Sequence, residues 1–469
     1  MNQSDWESVV DAAARASLAY LQSLPERRVQ PSVDQEPIRH LFDAPFPGGG
    51  EAPESVIANL ARDLDPFITA HASGRYFGFV IGGLHPAAYG ADVLAAAWDQ
   101  NAGLHAVAPG VGVIEAVAAR WIIELLRLPA EAAVGFVTGG QMASFTCLAA
   151  ARHHVLREWS GWDVEADGLI GAPEVHVVVK SERHDTIPRA LRFLGLGGRR
   201  VVEVASDSQS RMVVGDLEQA LAGLSGPTIV CLESGNLNTG SFDRFEEVAV
   251  VVDKHRGRGN PTWVHVDGAV GLWARAVEEA LTFGLELMDS WSTDAHKLLN
   301  VGYDSGIAIT RHPASHRAAM GVRAAYLVQG SGEVRDQLDW NPEFSRRARG
   351  LAVYAVLRSL GSVGVTALVE RTQRLANRFA DRLGSSGMAE VMNEVVFNQV
   401  LIRWIHPDGD DDGLVERVIQ RVAESGIAFF SPTTWNGRRL MRISVSDWAS
   451  DEGDVDRAIE SLLSAAKQG

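Results

Sequence analysis

Only two cysteines, Cys147 and Cys231, occur in 469 residues, and each sits inside an apolar segment. A disulfide framework is thereby excluded, and the pair reads as small buried hydrophobes in a chain suited to a reducing, cytoplasmic compartment. Positive charge is scarce too: 43 Lys and Arg against 59 Asp and Glu leave a formal net charge of −16. A nucleic-acid or anionic-membrane partner would be repelled over most of such a surface. The N-terminus, MNQSDWESVVDAAARASLAYLQSL, lacks the basic stretch of a signal peptide. No apolar run approaches about 18 residues, so no membrane span is expected. The pattern G-x-x-x-x-G-K-[ST] is missing, which argues against a nucleoside triphosphate. So is H-E-x-x-H, and with no cysteine cluster near His153 and His154 no metal site is expected. GLGGRR at 195–200 lacks the G-x-G-x-x-G spacing of a dinucleotide site.

What is present is an ordinary globular composition, 46% hydrophobic and 22% charged, in a chain long enough for about two or three domains. Residues 1–70 read as an N-terminal helical segment punctuated by PSVDQEP and DAPFPGGG. From 71 to 345 strand-like runs alternate with helical patterns: GFV, VHVVVK, VVEVA, TIVCLES, WVHVD and IAITR. Such alternation predicts an α/β domain with a mostly parallel sheet covered by helices. Residues 346–384 form bridging helices, with a break expected at Gly361 and Gly364, and 385–469 read as a small C-terminal α+β domain.

Ligands of parallel sheets sit at the C-terminal ends of the strands. Gly139, His184, Asn236, Asp267 and Lys297 all follow predicted strands at that edge. In DSWSTDAHKLLNVGYD a polar turn delivers His296 and Lys297 side by side, which suits presentation of one amine inside a pocket. Such a lysine and the carboxylate of Asp267 together predict a pyridoxal 5′-phosphate enzyme, with Lys297 as the Schiff-base lysine and Asp267 paired to the pyridinium nitrogen. Thr138, Gly139, Gly140 and Gln141 open a helix, and the turn reads either as a phosphate seat or as a tight turn needing glycine. His184 could stack on an aromatic ring or cap a helix at the surface. Phe77 and Phe79 could line a pocket or simply pack. Arg442, on an inner strand, could face a surface carboxylate or grip a substrate carboxylate.

The blocks RYFGFV, APGVGVIEAVAARW, TGGQMAS, SERHDTIPRA, NTGSFD, HVDGAVG, DAHKLLNVGYDSG, SRRARGLAVYAVLRSLG and LMRISVS follow one another over about residues 70–460. In that order they resemble the pyridoxal-phosphate-dependent group II amino-acid decarboxylases of the aspartate-aminotransferase fold (fold type I). The resemblance implies decarboxylation of an L-amino acid to an amine, by a homodimer with active sites at the subunit interface. It implies Lys297 as the cofactor lysine, Asp267 as the pyridinium partner, His184 and Ala269 on the two ring faces, and Asn236 near the phenolic oxygen. Gly140, Gln141 and His296 would hold the phosphate beside Gly139, Arg442 the substrate carboxylate, and Phe79 would line the substrate pocket. With Trp98, Phe79 leans toward an aromatic or large apolar substrate. Where many members read S-G-G-T-E-A-N, this chain has Thr138, Gln141, Met142 and Ser144. It also has no tyrosine between Leu327 and Phe344, where decarboxylases of this kind carry a proton-donating one; Tyr326 matches an earlier position. Relatives without that tyrosine are associated with oxidative deamination. A carbon–carbon lyase, a transaminase or a non-catalytic binding protein on the same scaffold are the other readings.

Overall fold

Runs rich in valine and isoleucine become strands that are buried along most or all of their length. In the computed structural model, which describes residues 5–31, 35–277, 280–322 and 335–468, seven of them form one sheet. They are β1 (Ala133–Val137), β2 (His176–Lys180), β3 (Val202–Val204), β4 (Thr228–Glu233), β5 (Thr262–Asp267), β6 (Ser290–Asp294) and β7 (Gly306–Thr310), in the spatial order β1-β7-β6-β5-β4-β2-β3. Parallel pairing joins β3, β2, β4, β5 and β6. The mostly parallel sheet expected from the sequence is therefore present, with β7 as its one reversed strand. Gly306 of β7 lies opposite both Val137 and Asp294 in antiparallel register. This places the ends of β1 and β6 at the same edge as those of β2, β4 and β5, so all five candidate turns open on one side.

Helices cover the sheet because their apolar faces have nowhere else to go. Leu148, Val155, Leu191, Ile229 and Trp263 meet in one buried cluster, each fully buried. Each such side chain contributes roughly 1.5–3 kcal/mol by leaving water. The helix Phe245–Arg256 shows how local sequence sets an element: Glu246 and Glu247 occupy its first turn and Lys254, His255 and Arg256 its last. That arrangement complements the helix dipole at both ends.

The chain divides into two compact units, one of Gly82–Asn377 with Asn393–Val400, the other of Met1–Ile81, Arg378–Met392 and Leu401–Gly469. In the second, β8 (Ala389–Val391), β9 (Gln399–Trp404), β10 (Ser431–Trp435) and β11 (Arg438–Ser444) form a four-stranded sheet in the order β10-β11-β9-β8. Its helices Asp411–Ser425 and Glu452–Lys467 are capped by Asp410 and Asp451, whose carboxylates accept the N–H groups of Gly413 and Asp454. The N-terminal residues join this unit through the backbone. Val29 donates to Gly426, Phe77 donates to Phe429, and Ser444 donates to Phe77. This two-unit division differs from the four segments expected at 1–70, 71–345, 346–384 and 385–469.

One expectation needs correcting. The helix Gly350–Gly384 contains an 18-residue window of mean hydropathy 1.6, long and apolar enough by composition to cross a membrane. Ala352, Val353, Val356 and Leu357 on it are nevertheless buried within the protein, and Gly361 breaks its helical backbone at φ 61° and ψ 179°, as the sequence led one to expect.

Two neutral histidines in the core make stability depend on pH. His265 contacts Ser290 Oγ at 2.9 Å through Nδ1, and the Nε2–H of His316 donates to the Trp340 carbonyl at 3.0 Å. Burial pushes both imidazoles from 6.5 down to about 3. The unfolded chain thus binds protons that the folded one refuses, so this stability is whole above pH 6.5 and is lost as pH falls from there toward about 3. Thermal midpoints should hold steady between about pH 7 and 8 and drop below about pH 6, and His316→Gln should flatten that drop.

Candidate active site

Of the four lysines in the sequence, Lys180, Lys254, Lys297 and Lys467, two are exposed on helices and Lys180 is buried against carboxylates. Lys297 differs from all three. Its side chain is 19% exposed, and its Nζ lies 3.0 Å from Oδ2 of Asp294, the last residue of β6. The other oxygen of Asp294 accepts the N–H of Gly140 and faces Nε2 of His296 at 3.3 Å. Nδ1 of His296 accepts the Ser305 N–H at 3.2 Å, so the neutral ring carries its proton on Nε2, toward Asp294. Burial accordingly holds the His296 imidazole below its usual range. Its ring stacks on Tyr303 with centroids 4.3 Å apart.

Glycine is required where these backbones converge. A Cβ on Gly140 would stand 2.7 Å from Asp294 Oδ2, and one on Gly82 would strike the Lys297 carbonyl. Gly140 opens the helix Gly140–Ser160, whose first-turn N–H groups and dipole favour an anion. Gln141 ties this turn to the next loop by donating from Nε2 to the Thr186 carbonyl at 3.2 Å.

Across the same edge, Asp267 ends β5 and is 7% exposed. It accepts from Thr186 Oγ1 and from the Ala269 N–H, both at 3.2 Å. Burial raises its pKa, with His184 and Lys297 pulling the other way and Glu233 adding to the rise. A carboxylate in that position gains most from a cation placed against it. His184 lies in the exposed loop after β2, its Nδ1 accepting the Thr186 N–H at 3.2 Å, and Thr186 Oγ1 sits between it and Asp267. Asn236, 3% exposed, follows β4 and donates to Glu233 at 2.9 Å. Ala269 is half-buried beside Asp294, whose N–H donates to the Ala269 carbonyl at 3.2 Å.

Comparison with known proteins supplies the family. The profile of the pyridoxal-dependent decarboxylase conserved domain matches residues 36–405. This chain belongs to that family. The decarboxylase is 26% identical to the aromatic-L-amino-acid decarboxylase of Sus scrofa over all of its own length and 97% of that protein's. It is 24% identical to the 4-hydroxyphenylacetaldehyde synthase of Rhodiola rosea, covering 93% of this chain and 90% of that one. Among solved structures, Oryza sativa TDC with PLP and tryptamine superposes with a TM-score of 0.90 at 23% identity, covering 100% of this chain and 99% of the other. Mouse CSAD gives 0.90 at 20%, covering 99% of each. The fold is type I, and the activity is pyridoxal 5′-phosphate-dependent decarboxylation of an amino acid.

The residues of the decarboxylase fit this cofactor: a glycine-opened helix N-terminus, a partly exposed amine on Lys297 and the buried carboxylate of Asp267, all on one sheet edge. Gly139, Gly140, Gln141, His184, Asn236, Asp267, Ala269, His296 and Lys297 are brought together there within one unit. Phe79 and Arg442 belong to the other unit. Arg442 is buried on β11, pairs in register with Ser431, and is pushed down to about 10 by burial. Phe79 is 57% exposed, with φ 51° and its ring 5.9 Å from that of Phe429. Of the tyrosine-free stretch after Leu327, residues to 334 lie outside the described residues, as does Tyr326. Sequence reading missed Asp294, Thr186 and Glu233, although all three sit within three residues of a residue it did single out.

Because a Cβ on Gly140 would press on the Asp294 carboxylate, Gly140→Ala should weaken cofactor capture by roughly 10–100-fold, about 1.4–2.8 kcal/mol, while leaving the fold intact. Fluorescence titration of the stripped protein with pyridoxal 5′-phosphate reads this directly.

Proposed function

We propose that the decarboxylase converts an aromatic or large apolar L-amino acid to its amine and carbon dioxide, with the nine residues of the shared edge as its cofactor site. The observation that carries this is the placement of Lys297, Asp267 and His184 after strands β6, β5 and β2, at one edge of a single sheet. When bound, pyridoxal 5′-phosphate supplies an electron-withdrawing ring that accepts the pair left by the departing carboxylate. Lys297 holds the cofactor covalently, and Asp267 keeps the ring nitrogen protonated by offering the buried negative charge that the proton balances. His184 and Ala269 would take the two faces of the cofactor ring, and Asn236 would donate toward its phenolic oxygen. Gly139, Gly140, Gln141 and His296 receive the phosphate, the imidazole through its Nε2–H. His184 returns a proton to the substrate carbon.

Several relatives carry the name aromatic-L-amino-acid decarboxylase, and the Oryza sativa structure holds tryptamine, which supports the aromatic preference. A cytoplasmic homodimer completes the proposal. Val93, Leu94, Trp98, Val107 and Val113 leave an exposed apolar surface in and near the helices Pro86–Trp98 and Pro109–Leu125, and both thiols are buried and free. Light scattering on the purified protein tests the dimer.

A second reading has its own support. The stretch from Leu327 to Phe344 has no tyrosine, and the Rhodiola rosea relative is an aldehyde synthase. On that reading one dioxygen and one water are consumed per amino acid, and aldehyde, carbon dioxide, ammonia and hydrogen peroxide are released. One assay separates the two: L-tryptophan, L-tyrosine, L-phenylalanine, L-histidine and L-glutamate are supplied, and amine, aldehyde, peroxide and carbon dioxide are measured together. Amine without peroxide supports decarboxylation alone; aldehyde with stoichiometric peroxide establishes the second reading. Turnover of L-glutamate in preference to the aromatic acids would overturn the proposed substrate class.

A further inference from the structure

Beneath the shared edge lies a buried ion cluster that no step above uses. Lys180, at the end of β2, is 2% exposed. Its Nζ meets Glu233 Oε2 at 2.6 Å, the Ser210 carbonyl at 2.7 Å and Asp243 Oδ1 at 3.8 Å. Asp243 is fixed in turn by the N–H groups of Met212 and Glu233, each at 2.7 Å. A buried lysine with two carboxylates is costly to assemble, and removing one partner strands the rest.

The cluster reaches the cofactor site through one atom. Glu233 Oε2, the oxygen that holds Lys180, also accepts from Asn236 Nδ2 at 2.9 Å. The oxygen of the Asn236 amide is already filled, by the N–H groups of Asn238 at 2.9 Å and Thr239 at 3.0 Å. Thr239 Oγ1 donates to the same oxygen at 3.2 Å, and with donors alone on that side the two ends of the amide are fixed. The nitrogen keeps one further N–H to offer, and its direction is set by where Glu233 stands. Glu233 is also the register neighbour of Asp267 on the adjacent strand. Two carboxylates side by side at a sheet edge repel unless a cation sits against one of them.

We propose that Lys180 is a positioning residue for the cofactor ring: by anchoring Glu233 it aims the remaining Asn236 N–H at the phenolic oxygen and neutralises the charge beside Asp267. This rests on the proposed cofactor site and assigns to it a residue four positions before His184. Burial works against the lysine's charge, yet Asp243 and Glu233 together hold its pKa above the ordinary lysine range, so the anchor is charged throughout the working pH range.

The test is the absorption spectrum of the cofactor-loaded protein across pH. A hydrogen bond to the phenolic oxygen favours the band near roughly 420 nm over the one near roughly 330 nm. Lys180→Met should lower the ratio of these bands about fivefold, the worth of one net hydrogen bond. Glu233→Gln, whose carbonyl still accepts from both neighbours, should keep the ratio within about twofold of wild type but move its pH midpoint, since it alters charge and not the donor's aim. Should Lys180→Met fail to fold, Lys180→Met/Asp243→Asn removes a cation and an anion together and carries the same expected ratio change. A foldable Lys180 variant with the wild-type band ratio and pH midpoint, differing only in thermal midpoint, would overturn the inference and leave Lys180 a packing residue. Wild-type protein with neither band after cofactor addition would instead overturn the cofactor site itself.

Discussion

Lys297→Ala, incubated with pyridoxal 5′-phosphate, should show no borohydride-sensitive band near roughly 420 nm and should release carbon dioxide at least about 10³-fold more slowly than wild type. The size of the effect follows from the shortage of substitutes. Lys180 is locked in its ion cluster, and Lys254 and Lys467 are exposed on helices. Lys297 is the one lysine both at the sheet edge and partly exposed, held by Asp294 at 3.0 Å and by the close approach of Gly82 to its own carbonyl. Added methylamine should restore part of the rate by supplying a free amine. A variant that kept both the band and the rate would sink the assignment of Lys297.

The second large effect concerns stability. Arg346 and Glu115 have no exposed side-chain surface and meet in a two-pronged pair at 2.7 and 3.1 Å. Arg346 further donates to the carbonyls of Ala102 and Phe136, and Glu115 accepts the Gly350 N–H at 3.0 Å. Arg346→Ala strands a buried carboxylate and two carbonyls, and should destabilise the protein by about 3–5 kcal/mol. The midpoint of thermal unfolding should fall by roughly 10 °C. Removing both charges, as in Arg346→Met/Glu115→Leu, should restore part of the loss, because no buried charge is then stranded and only the Ala102 and Phe136 carbonyls and the Gly350 N–H lose a partner. If the double variant were no more stable than the single one, the pair would be contributing something other than charge compensation.

The reach of the sequence depended on what kind of signal each residue carries. Asp267 and Lys297 were legible because the alternation in WVHVD and the polar turn after DSWS mark strand ends, and strand ends of a parallel sheet are where ligands sit. Gly361 was legible because glycine in a helical pattern marks a break. Asp294 was not: an acid in STDAHK reads as turn polarity until the register of β6 and β7 aims its carboxylate at Gly140. Thr186 and Glu233 stayed hidden for the same reason, since their partners Asp267 and Lys180 come from other strands. The reversal of β7 was also invisible, because IAITR has the same composition in either direction.

That reversal bears on how the protein folds. β6 and β7 pair antiparallel from Ser290 opposite Thr310 to Asp294 opposite Gly306, so the turn carrying Lys297 is closed by only the eleven residues 295–305. β4 and β5, by contrast, are joined through a helix and pair only after a much longer loop has closed. Loop-closure entropy favours the short circuit, and contacts close in sequence form early. The hairpin that carries the cofactor lysine can therefore assemble as a local unit, ahead of the parallel strands that supply its Asp267 and His184 partners.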